Sequence, residues 1–157
     1  MDFNAIKPKS RKSFTHDDHL ICMAQARLFH LASKMHFDEE NFTEKYMNST
    51  FCNNHIDTEC DCYQTSDTGY DMEVLLDEIN PSKSKAEGCP PAMEYIGYMY
   101  QYLHIRSGVP SRELYGRLPY ERMDAYCAMS INEDAEETLY SIMEDHGNLF
   151  PEVDMDE

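Results

Sequence analysis

Apolar residues return every three or four positions along most of this chain, and almost nowhere every two. From Thr15 onward, Leu20, Met23, Ala24, Leu28, Leu31 and Met35 fall on one helical face. Thr15 is placed to cap that helix, with Asp17 and Asp18 in its first turn. A second helix is expected from Asp38, where Phe37 and Phe42 have the spacing of a hydrophobic staple and Tyr46 and Met47 continue the run. Periodicity then fails between Thr50 and Tyr70, which reads as an ordered loop or a short helix.

The pattern resumes at Asp71, with Met72, Leu75, Leu76 and Ile79 on one stripe until Asn80-Pro81 stops the chain. Ser82 to Gly88 reads as an exposed linker. Pro90 and Pro91 open an aromatic helix through Met93, Ile96, Tyr100 and Leu103, which Gly108 ends. Pro110-Ser111 opens a short helix carrying Leu114 and Tyr115, and Pro119 opens another carrying Met123 and Tyr126. Asn132 is the expected cap of a last helix with Ala135, Leu139, Ile142 and Met143, terminated by Gly147. Valine is scarce and no alternating stretch of β-branched residues occurs, so the expected fold is all-α: one compact domain of roughly six to seven helices. Its expected limits are residues 15–147, between a flexible basic tail at 1–14 and a flexible acidic tail at 148–157.

A chain of 157 residues buries about two thirds of its unfolded surface and needs no metal or disulfide staple. It carries no apolar stretch of signal-peptide or membrane-span length, so a cytoplasmic location without membrane association is expected. The six cysteines are then expected as free thiols.

Charge divides the chain unequally. Residues 1–50 carry seven Lys+Arg and seven Asp+Glu, whereas the whole chain has a formal net charge of −17. From Asp57 to Ile79 there are eight carboxylates and no Lys or Arg, and after Arg122 there are eleven from Asp124 onward with none. Such a field repels phosphate and attracts basic protein surfaces. The carboxylates expected to meet a partner are Asp71, Glu73, Asp77, Glu78, Glu133, Asp134, Glu136, Glu137, Glu144 and Asp145. Tyr98 and Tyr102 lie four residues apart, off the stripe of Met93, Ile96 and Tyr100, and are the expected aromatic anchors.

Chemistry of other kinds has thinner support. Cys52, His55, Cys60 and Cys62 supply zinc-ligand types, but Cys60-x-Cys62 is tighter than the usual pair, so thiols in a polar loop are expected and no metal or other cofactor. His16-x-x-His19 and His104 invite a catalytic reading, but a solvated polar role at the helix start and a hydrogen-bonded role at the core edge are the expectation. No glycine-rich phosphate loop, nucleophile elbow or His-Glu-x-x-His motif is present, so enzymatic activity is disfavoured. The aromatic helix, the turn at Ser107 to Pro110 and the helix Ser111 to Tyr115 follow the order of a helix-turn-helix, with Arg106, Arg112, Arg117 and Arg122 nearby. A DNA-binding regulator is therefore the alternative reading, against the repulsion a duplex would meet from the rest of the chain.

The segments Lys45-Tyr46-Met47-Asn48-Ser49 and Glu94 to His104, with Gly108, Ser111 and Glu113-Leu114-Tyr115, carry a resemblance. They are similar to small acidic helical proteins of gut Firmicutes associated with toxin-antitoxin loci, which share an MNS helix end, a tyrosine-rich helix and a short helix after a glycine. The likeness covers about half the chain, and this sequence departs from the group in having no tryptophan. The resemblance implies an antitoxin or inhibitor that acts by covering another protein. The expectation is thus a non-enzymatic acidic inhibitor, of antitoxin or phage anti-CRISPR type, whose carboxylates imitate phosphates on the basic surface of a toxin or nucleic-acid-processing effector.

Overall fold

Two long helices, α1 (His16–Lys34) and α4 (Pro90–Ser107), form the most extensive interface in the computed structural model, which describes residues 14–57, 67–129 and 134–146. The other elements pack around this pair. They are α2 (Glu39–Met47), a π-helix (Phe51–Ile56), α3 (Thr68–Glu78), α5 (Ser111–Arg117), α6 (Tyr120–Met129) and α7 (Ala135–His146). The all-α expectation holds: among the described residues there is no strand, only an isolated antiparallel bridge between Phe37 and Lys83. None of these helices is long and apolar enough to cross a membrane. Of the expected tails only Phe14 is described, and it packs against Tyr102 at 4.8 Å instead of belonging to a flexible segment; residues 1–13 and 148–157 and Gly147 lie outside the described residues.

Local signals set most of the helix starts. Thr15 Oγ1 accepts from the Asp18 amide at 3.1 Å while Asp18 Oδ2 accepts from the Thr15 amide at 3.0 Å, a complete capping box. Asp38 caps α2 by accepting from the Asn41 amide at 2.9 Å, and the Phe37 and Phe42 rings stack at 6.2 Å as the staple requires. Gly108 ends α4 with φ 75°, a left-handed conformation that a side chain would disfavour. The α7 cap is two residues later than expected. Asp134 accepts from the Glu137 amide at 2.9 Å, whereas Asn132 lies outside the described residues.

The stretch read as aperiodic holds two elements the pattern did not resolve. α3 begins at Thr68, capped by Asp67 through the Tyr70 amide. Phe51–Ile56 winds as a π-helix, closed by the Asp57 amide on Cys52 O at 2.8 Å. Its first amides, Thr50 and Phe51, donate to the carboxylate of Glu78, 27 or more residues ahead in sequence. The 82–88 linker is also more constrained than its composition implies. Asp38 N donates to Ser82 O at 2.8 Å, Ser84 N to His36 O at 2.7 Å, and the Lys83 ammonium sits 4.2 Å above the Phe37 ring.

The core is centred where α1 meets α4. A Cβ at Gly97 would stand 2.7 Å from Cγ of Phe29, so the glycine is what allows the two helices to approach. Phe29 has nowhere to retreat, because it meets Phe42 and Tyr46 edge to face at 5.5 and 5.1 Å. Beside it the buried Gln25 donates to Gly97 O at 2.8 Å and accepts from the Tyr46 hydroxyl at 2.8 Å. Replacing Gly97 by alanine raises helix propensity by about 1 kcal/mol, yet overpacking of this kind costs about 1–3 kcal/mol. Gly97→Ala is therefore expected to lower the denaturation midpoint in guanidinium, with the fold retained; an unchanged or higher midpoint would show that the α1–α4 interface is looser than described.

Candidate partner-binding surface

The carboxylates of α3 do not behave as a set. Glu73 and Asp77 are exposed. Glu78 is committed to the π-helix amides, and Asp71 is 3% exposed. The expectation that Asp71 offers a surface charge is thus corrected: it lies against His55 in a cleft between α3 and the π-helix. Burial pushes its carboxyl above the usual range, with His55 opposing and Asp67 adding to the shift.

The carboxylates of α7 sort in the same way. Asp134 is exposed but serves as the cap, and the half-buried Glu136 accepts from the Tyr140 hydroxyl at 3.0 Å. Glu137 and Glu144 are exposed, and the exposed Asp145 accepts from Tyr126 of α6 at 2.7 Å. Glu133 lies outside the described residues. The two acidic sets belong to different layers, since α3 packs on α1 and α7 packs on α6 and α4.

A third set, which charge counted along the sequence did not reveal, adjoins α7. α2 packs on α6, and α6 on α7. Burial, and then Asp124, Glu39, Asp38 and Glu40, push the Tyr120 hydroxyl up. The Tyr115 hydroxyl is raised by burial and then by Glu44, Glu40 and Glu121, against a hydrogen bond from the Tyr120 backbone. Burial and Glu39 likewise raise the Asp124 carboxyl. Carboxylates from the charge-balanced first third therefore stand beside those of α6, about eighty residues later, and form an acidic strip over α2, α6 and α7.

Among the described arginines of the last third, Arg122 of α6 places one positive charge within the strip, and the other three are engaged away from it. Arg106 is buried and donates to the Tyr102 hydroxyl at 2.9 Å, and Arg112 donates to Asn48 O at 2.8 Å. Arg122 faces His146 at 3.4 Å, while Arg117 pairs with Glu113 at 3.5 Å. Lys45 and Lys83 likewise donate to backbone carbonyls, Asn80 O and Met35 O.

Neither expected tyrosine anchor is free. Tyr102 is 6% exposed, buried against Phe14 at 4.8 Å and bonded to Arg106, which corrects its reading as a surface residue. Tyr98 is half-buried, stacks on Tyr102 at 6.3 Å and bonds His19 Nδ1 at 2.7 Å. Among the described phenylalanines and tyrosines the exposed one is Tyr70, 61% accessible, with Val74 one turn later on α3. Their four-residue spacing, off the stripe of Met72, Leu75 and Ile79, was the available signal.

Around Asp57 the chemistry is structural. Its carboxylate accepts from the Ser111 amide at 2.7 Å and the Ser111 hydroxyl at 2.6 Å, so it anchors the start of α5. His104 Nδ1 lies 2.7 Å from Val109 O and its Nε2 3.8 Å from Asp57 Oδ1. Cys52 is buried beneath, its thiol pushed well above the usual range by burial and by Asp57. His55 instead packs on Phe51 at 5.0 Å. Cys60 and Cys62 lie outside the described residues, and among those described no three His, Cys, Asp or Glu side chains are grouped to hold a metal ion. The helix-turn-helix order is present in α4 and α5, yet Ser111, Leu114 and Tyr115 of α5 are buried and Arg112 is held by Asn48 and Asn53.

No protein-family model, curated protein or solved structure matches the chain. The Asp57 anchor has a direct test. Asp57→Ala leaves the buried Ser111 amide and hydroxyl without their acceptor, an expected loss of about 1–3 kcal/mol in unfolding free energy. Wild-type stability in that variant would remove Asp57 from its structural role.

Proposed function

We propose that this chain is a non-enzymatic acidic inhibitor that acts in the cytoplasm by covering a basic, nucleic-acid-binding surface of a partner protein. The partner class is a toxin or a nucleic-acid-processing effector, and the inhibitor is of antitoxin or phage anti-defence type. The observation that supports the reading most is the exposed strip of Glu40, Glu44, Glu121, Glu144 and Asp145 on α2, α6 and α7, in which five carboxylates outweigh the one arginine, Arg122, while Arg106 and Arg112 donate elsewhere. Uncompensated carboxylates present a partner with the long-range field of a polyanion and raise its rate of encounter. The same field repels a duplex, so the proposed partner is a protein rather than nucleic acid.

The test uses the chain as bait in lysate of its source organism, with captured proteins identified by mass spectrometry and then measured for association rate. Substituting Glu40, Glu44 and Glu121 together by glutamine is expected to slow association on the order of tenfold at low salt, while wild-type binding weakens steeply as salt rises. Because the three side chains are exposed, the variant should melt with the wild type. A captured partner bound with salt-independent affinity, and equally fast by the glutamine variant, contradicts the proposal.

A further inference from the structure

We propose that the cleft between the π-helix and α3 receives one cationic side chain, an arginine or a lysine presented by a partner protein. The cleft has a volume of about 590 Å³ and is walled by Phe51, Tyr70 and Val74, with Asp71 and His55 facing into it. Its protein occupant follows from the inhibitor reading; the recognition of the cation itself does not depend on it.

Asp71 is the residue that points to a ligand. It is 3% exposed, and among the described residues its carboxylate accepts no hydrogen bond. Burying a carboxylate without partners is costly, and a group that brings both opposite charge and N–H donors recovers that cost. Asp67 and Glu78 have the same sign, and Glu78 already accepts from the Thr50 and Phe51 amides; His55 is the favourable neighbour, but its ring lies tilted over Phe51 and makes no hydrogen bond to the carboxylate. The surrounding sequence from Asp57 to Ile79 contains no Lys or Arg, so the neighbouring chain supplies no fixed cation to this carboxylate.

The walls suit the rest of such a side chain. Phe51 and Val74 offer apolar surface for a three- or four-carbon stem, as long basic side chains prefer. Tyr70, 61% exposed and at the rim, offers a ring face to the charged head. Glu73 and Asp77, exposed on the same helix, add attraction at range. π-helical turns are rare and frequently lie at functional sites, which fits the place of this one as a wall of the cleft.

The test is a titration of the full chain with N-acetyl-arginine N-methylamide followed by ¹H–¹⁵N chemical shifts, with the citrulline analogue as a neutral probe of nearly the same shape. Saturable shifts at Phe51, Tyr70, Asp71 and Val74 with arginine, and none with citrulline, are expected. Asp71→Asn should weaken the arginine probe on the order of tenfold, and Tyr70→Ala gives a second reading through an exposed residue should the Asp71 variant fail to fold. Equal shifts from citrulline mean an apolar occupant and overturn the proposal, as do undiminished binding by Asp71→Asn and shifts confined to α7. Local arginine binding without any captured partner refutes the inhibitor reading and leaves the cleft standing. A captured partner indifferent to Asp71→Asn and Tyr70→Ala does the reverse.

Discussion

The close approach of α1 and α4 over Gly97 governs where every other element sits. With no Cβ at that position, Phe29 packs directly onto the α4 backbone, and Gln25 reaches the Gly97 carbonyl. The same two residues of α1 then organise α2, since Phe29 meets Phe42 and Tyr46, and Gln25 accepts from Tyr46. α2 in turn lies against α5, α6 and the π-helix. A side chain at position 97 would push on a core already filled with aromatic rings, where small displacements are not absorbed.

That framework divides the acidic residues by what they do. Asp18, Asp38, Asp67 and Asp134 accept amide protons at helix starts, Glu78 does the same for the π-helix, and Asp57 anchors α5 from a distance. A carboxylate at a helix N-terminus is favoured by the exposed amides and the macrodipole, so part of the chain's negative charge is structural. Of what remains, Glu40 and Glu44 on α2, Glu121 on α6, Glu137, Glu144 and Asp145 on α7, and Glu73 and Asp77 on α3 are exposed. The net charge of −17 is therefore not all available to a partner, and among the described residues the exposed carboxylates lie mainly on two separate surfaces.

Signals carried within a few residues were legible. Thr15 with Asp18, Asp38 with the Phe37–Phe42 staple, the proline starts of α4 and α6 and the Gly108 stop all act locally, and each is found where the pattern places it. What the sequence concealed depends on pairings far apart in the chain. The π-helix needs the Glu78 carboxylate, the 82–88 segment needs the His36 to Asp38 backbone, and Asp57 matters because Ser111 comes to it. Tyr102 looked free by spacing alone, but it is covered by Phe14 and Arg106. The strip joining Glu40 and Glu44 to Glu121 and Asp124 was invisible to a charge count by segments, because it arises only when α2 packs on α6.

The central claim is that exposed carboxylates on this helical framework occupy a surface that otherwise binds nucleic acid. Displacement tests it most directly: the complex formed with the captured partner is challenged with increasing double-stranded DNA, and release of the chain is followed by fluorescence anisotropy. Competitive release, with the midpoint rising in proportion to the concentration of free chain, is the predicted result. A complex that persists under saturating DNA, with DNA binding to the partner at the same time, would contradict the claim.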